Sequence, residues 1–156
     1  MKREEIRPLP FYLEQAAAKY PEKDVVVQRN RRVSYRDLLQ SVDRIAAYLS
    51  RTNPSFAGER ACLVLDNTPE YVIAMFGVLK AGGLVVPVGD RIGARGLKTI
   101  LGDCTPSVVV VKLSVYESIA EILKGTACIR TILLVEDEQG MPDASGAVKD
   151  QRVLSP

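Results

Sequence analysis

Glycine and arginine meet in the stretch GDRIGARG, where Gly89, Gly93 and Gly96 are interspersed with Asp90, Arg91 and Arg95. Phosphate loops that follow a strand use glycine so that backbone N–H groups can approach an anion at a helix N-terminus. Arg91 and Arg95 would add charge to such a site. The glycine spacing fits neither Gly-x-Gly-x-x-Gly nor the P-loop with its Gly-Lys-Ser/Thr ending, so a turning loop is the preferred reading. Asp66 and Asp90 each close a β-type run, the place where site carboxylates face a crevice in open α/β sheets; solvated or capping carboxylates are the simpler alternative. Arg29 and Arg31 flank Asn30. Anion binding there is weighed against a solvated hairpin tip, and the tip is preferred because no aromatic residues are interleaved for base stacking. Cys62, Cys104 and Cys128 are odd in number and form no Cys-x-x-Cys pair, so they read as small buried residues and not as a zinc site or disulfide framework. Histidine is absent, which removes Ser-His-Asp and Cys-His catalysis and any His-bound metal.

These residues need a scaffold, and the chain is long enough to build one. It has 156 residues, 47% of them hydrophobic, and a net charge of +2. That balance suits one domain or a portion of a larger one, with no bias toward a nucleic-acid partner. No long uncharged apolar run suggests a membrane span, and the acidic start MKREE does not resemble a signal peptide. Unpaired cysteines make the reduced cytoplasm the expected compartment.

Periodicity gives the elements. FYLEQAAAKY, between Pro10 and Pro21, favours a helix. DVVVQRNRRVSY reads as a hairpin with Asn30 at the turn. Ser34 caps a strong helix, with Asp37 completing a variant capping box and Leu38, Val42, Ile45 and Leu49 at helical spacing. RACLVLD is a strand, followed by Thr68 as a cap, Pro69 in the first helical position and Glu70 on the helix dipole. The helix Tyr71–Ala81 is apolar nearly all round, so it should be buried on more than one face, with Gly82-Gly83 as its stop. Pro87 inside the next strand argues for an edge position or a local break. Leu97, Ile100 and Leu101 make a short helical face. SVVVVKL is a buried strand, VYESIAEILKG a helix with Ile119, Ile122 and Leu123 inward, and RTILLVE a final strand. The alternation predicts strands near 61–65, 84–88, 107–112 and 131–135 in a mainly parallel sheet with helices on both faces, preceded by a helix and a hairpin. Residues 1–135 are expected to form this α/β unit, and the polar stretch 136–156 a linker or loop.

The string of segments AAAKYPEKDVVV, VSYRDLLQSVDRIAAYL, GERACLVLDNTPEYVIAMFGVLKAGGLVVPVGDR and LKTILGDCTPSVVVV resembles the N-terminal part of the adenylate-forming (AMP-binding) enzymes. That superfamily includes acyl-CoA synthetases, luciferases and nonribosomal peptide synthetase adenylation domains. VSYRDL looks like its first core motif and LKAGGLVVPV like its second, and the two stand in order at the expected separation. The likeness spans roughly residues 9 to 135. It implies that Gly82 and Gly83 form a structural turn and hold no phosphate. The text after Val88 departs from the family, which places a proline there.

The resemblance implies a parent reaction: a carboxylic or amino acid and ATP give an acyl-adenylate, and a thiol of coenzyme A or of a carrier protein takes the acyl group. The family's phosphate loop, its adenine-, ribose- and magnesium-holding motifs and its catalytic lysine have no counterpart in these residues. ATP and Mg are therefore expected for the parent, with none bound by this segment, and no catalytic, cofactor-binding or metal residue is assigned. The implied partner is the remainder of the adenylation domain, or a second copy through self-association, with no nucleic acid and no membrane. A stand-alone, non-catalytic interaction module on the same scaffold is the alternative, and a flavodoxin-like nucleotide binder a weaker third.

Overall fold

The computed structural model describes residues 7–136 and 148–150. Helix α1 (Leu9–Lys19) opens the chain, followed by a hairpin of β1 (Asp24–Gln28) and β2 (Arg31–Ser34). Then come α2 (Tyr35–Thr52), β3 (Arg60–Val64), α3 (Pro69–Lys80), β4 (Leu84–Val88), α4 (Ala94–Cys104), β5 (Val108–Lys112), α5 (Leu113–Lys124), β6 (Thr131–Val135) and β7 (Val148–Asp150). The sheet order is β4-β3-β5-β6-β7. Four strands run parallel, and β7 pairs antiparallel with β6, Val135 opposite Val148. The parallel α/β architecture expected from the alternation is what the chain adopts. One addition comes from the stretch expected to be a linker, which supplies β7; its remaining residues from 137 lie outside the described residues.

Strand pleating divides the core in two, because successive side chains point to opposite faces. Ala61, Leu63 and Leu65 pack with Val108, Val110 and Leu133 beneath α2 and α3. Cys62 and Val64 pack with Val109, Val111, Ile132 and Leu134 beneath α4 and α5. A third cluster joins Leu13 of α1 to Leu38 and Val42 of α2 and to Val25, Val26 and Val33 of the hairpin. Helix α3 is the hub. It packs on α2, α1, the hairpin and the sheet, and none of its residues is exposed, as its all-round apolar sequence predicts.

Local chemistry sets the ends. Ser34 Oγ accepts from the Asp37 backbone N–H at 3.1 Å and donates to Asp37 Oδ2 at 2.7 Å, which is the expected box. After α3, Gly82 takes φ +82°, its N–H donates to Leu79 O at 3.1 Å, and Gly83 N–H donates to Val78 O at 2.9 Å. This pair of bonds is a Schellman cap, and only glycine adopts the left-handed position without strain. Gly83 is needed for a different reason: an added Cβ would lie 2.5 Å from the Phe56 ring. Strand β4 lies at the sheet edge with Pro87 exposed, and Leu84 N–H donates to Glu59 O at 2.7 Å.

Candidate functional site

In an open α/β sheet the binding crevice lies outside the carboxyl ends of the strands, where the order reverses. Here the chain leaves β3 toward β4 and returns across β3 to β5, so the reversal falls between β3 and β5. Asp66 follows β3 and Lys112 ends β5, and they meet there: Lys112 Nζ lies 2.9 Å from Asp66 Oδ2. Helix α5 begins directly after Lys112, with no side-chain cap.

The hairpin closes the same end. Gln28 Nε2 donates to the Asn67 carbonyl at 3.0 Å, and Arg31 pairs with Glu70 in the first turn of α3. Thr68 caps that helix, its Oγ1 accepting from Tyr71 N–H at 3.4 Å. Burial opposes ionisation of Glu70, but the Arg31 guanidinium, backbone donation and Thr68 together hold its carboxyl below the ordinary range. The expectation of a solvated hairpin tip therefore holds for Arg29 and Asn30, both exposed, and is corrected for Arg31, which the Glu70 carboxylate draws inward. Asn30 sits in the turn as expected, beside Arg29, which takes the left-handed position at φ 51°.

This arrangement decides what the crevice can hold. The N-terminus of α3 would be an anion site by its dipole. It already faces the Glu70 carboxylate, with Asp66 two residues before its cap, and the cations that reach it, Arg31 and Lys112, are each paired. A nucleotide phosphate brought there meets two carboxylates, so the residues do not fit that group, and the flavodoxin-like reading loses its site. Asp90 and the Gly89–Gly96 loop follow β4 on the other side of β3 from the reversal, with Val88 beside Val64. Ile92 N–H donates to Gly89 O at 3.2 Å and Leu97 N–H to Gly93 O at 3.0 Å, the bonds of a turn leading into a helix. Arg91 and Arg95 are exposed, and neither Gly89, Gly93 nor Gly96 has positive φ. Among the described residues no group of three or more Cys, Asp and Glu side chains is arranged to hold a metal. Cys62 is buried beneath α4 and α5, and burial with a Coulombic contribution from Cys104 pushes its thiol up to about 12; Cys104 and Cys128 are half-buried. No described helix is long and apolar enough to cross a membrane.

Comparison with known proteins places this scaffold. The sequence model of the AMP-binding enzyme family matches residues 13–154. The chain belongs to the AMP-binding enzyme family. It is 29% identical over 135 residues to a long-chain-fatty-acid–CoA ligase of Escherichia coli O6:H1, covering 86% of this chain and 24% of that protein. It is 33% identical over 107 residues to bacitracin synthase 3 of Bacillus licheniformis, covering 69% of this chain and 2% of that protein. The crystal structure of coronafacic acid ligase from Pectobacterium brasiliense superposes with a TM-score of 0.77 at 17% identity, over 83% of this chain and 26% of that one. This AMP-binding chain has the fold of the N-terminal subdomain of adenylate-forming enzymes, and it spans about a quarter of the fatty-acid ligase that it matches. The structural turn that the resemblance implies at Gly82 and Gly83 is present, and the Schellman cap and the Phe56 contact account for the two glycines.

Proposed function

We propose that this chain is the N-terminal scaffold of an adenylate-forming ligase that activates a carboxylic or amino acid with ATP and passes the acyl group to a thiol. The observation that carries the reading is the family match across residues 13–154. The paired cations at the carboxyl end of the sheet support a division of labour. Transfer between phosphate and carboxylate needs preorganised positive charge, and Lys112 and Arg31 are already neutralised by Asp66 and Glu70. In this reading ATP and Mg are held by the rest of the adenylation domain, which is the chain's main partner, and coenzyme A or a carrier protein receives the acyl group. This subdomain supplies a rigid wall and, alone, no turnover. The test is ATP–pyrophosphate exchange by the isolated chain with a panel of carboxylic and amino acids. No exchange above a denatured control is expected, and clear exchange would refute the scaffold role.

A stand-alone, non-catalytic module is favoured by one observation: α3, the most apolar helix, is already covered by α1, α2 and the hairpin and does not wait for a missing neighbour. Sedimentation separates the two readings. A monodisperse monomer at micromolar concentration supports the module, and self-association or capture of the remaining domain supports the scaffold.

A further inference from the structure

Three of the exposed large hydrophobic residues lie together on α1 and its C-cap: Leu9 is 57% exposed, Tyr12 55% and Tyr20 47%. The opposite side of the helix, Pro10, Leu13 and Ala17, is buried. Cations accompany the half-buried Phe11 ring and the exposed Tyr20 ring. Arg7 lies 5.4 Å over the Phe11 ring, and Lys19 and Lys23 lie 5.0 and 5.7 Å over the Tyr20 ring. Tyr12 and Lys19, seven residues apart, share the outward side. The one acid of α1, Glu14, is drawn off that side by Lys80, which also holds Asp43. The outward face therefore combines apolar and aromatic groups with positive charge, and the exposed acids beside it, Glu14 and Glu22, are paired with Lys80 and Arg36.

We propose that this face of α1 docks on a lipid surface bearing anionic phosphodiester headgroups. The charge complementarity is direct, and amphipathic rings flanked by Lys and Arg suit the headgroup boundary, where the apolar part enters and the cations meet phosphates. Single-stranded nucleic acid fits less well. Stacking needs an open ring face, whereas Tyr20 is covered by two ammonium groups, Phe11 by Arg7, and Phe11 and Tyr12 already meet edge to face at 5.6 Å. This inference does not rest on the ligase reading and departs from the sequence expectation of no membrane partner; the contact is peripheral.

The test is co-sedimentation of the whole chain with vesicles of phosphatidylcholine alone and of phosphatidylcholine mixed with phosphatidylglycerol. Binding is expected only to the mixed vesicles, and to weaken as salt rises. Removing cations should weaken it about fivefold for each, and Lys19→Glu with Lys23→Glu by more. Tyr12→Ser should weaken it several-fold while leaving circular dichroism unchanged. Leu84→Ser, at an exposed apolar site on the sheet edge, should have no effect. Equal binding to neutral vesicles, no binding to either, or equal loss with Leu84→Ser and Tyr12→Ser would overturn the proposal. So would saturable binding of oligo(dT), abolished by the α1 changes, without vesicle binding.

Discussion

Replacing Gly83 with alanine should destabilise the fold by about 1–2 kcal/mol, and the structure says why. The new Cβ would lie 2.5 Å from Phe56 Cε1, 2.7 Å from Cζ and 3.1 Å from Val78 Cγ1. The ring must withdraw by about an ångström to restore ordinary contact, and it has nowhere to go: Phe56 is 1% exposed and packs among Leu49, Leu63 and Val78. Overpacking of a filled core costs about 1–3 kcal/mol. Alanine also narrows the unfolded ensemble, which returns about 0.4–1 kcal/mol. For a chain of this size the net loss corresponds to a fall of about 2–8 °C in Tm. Urea unfolding followed by circular dichroism measures it. Phe56→Leu removes the ring atoms in question, so Gly83→Ala should cost far less in that background, with a coupling of about 1 kcal/mol or more. A Gly83→Ala protein as stable as the parent, or strictly additive effects in the double variant, would refute the argument.

Gly82→Ala should also destabilise, by about 1–2 kcal/mol, but through its left-handed backbone at φ +82° and not through a ring clash, so Phe56→Leu should not rescue it and Gly82→Asn should be milder. Glu70 gives an acid-limb prediction: its folded carboxyl titrates below the ordinary value of 4.5, so its contribution is full above that value and is lost as pH falls through the lower, folded one. Glu70→Gln should flatten stability against pH in that window, measured by urea midpoints. Cys62, its thiol raised to about 12, should resist iodoacetamide in the native protein at mildly alkaline pH while the half-buried Cys104 and Cys128 are alkylated first, as peptide mapping would show.

What could be read from the sequence was what local chemistry determines. Ser34 with Asp37, Thr68 with Pro69, and the glycine pair after α3 each fix a helix end within a few residues. The all-valine run Val108–Val111 and the short apolar run Ile132–Val135, each among helical patterns, read as strands buried on both faces. The contacts that shape the carboxyl-end corner are of another kind. Arg31 and Glu70 are 39 residues apart and Asp66 and Lys112 are 46 apart, so no periodicity links them. Only the hairpin's packing on α3, and the return of the chain from β4 to β5, bring them together. Strand β7 was hidden for the same reason: Val148–Asp150 has no apolar run of its own, and its pairing is set by the open edge of β6.

Pro87 has a consequence for the solubility of such a Val-rich sheet. Leu84 N–H turns toward β3, so by alternation Val86 and Val88 do too, while Val85 and Pro87 turn outward. Proline carries no N–H, which leaves Val85 as the one outward donor along the whole of β4. A strand arriving from another molecule would find a single N–H beside the outward carbonyls of Val85 and Pro87, a ladder short of one bond. The edge where intermolecular stacking would begin is thus weakened chemically, and pairing onto β4 is disfavoured.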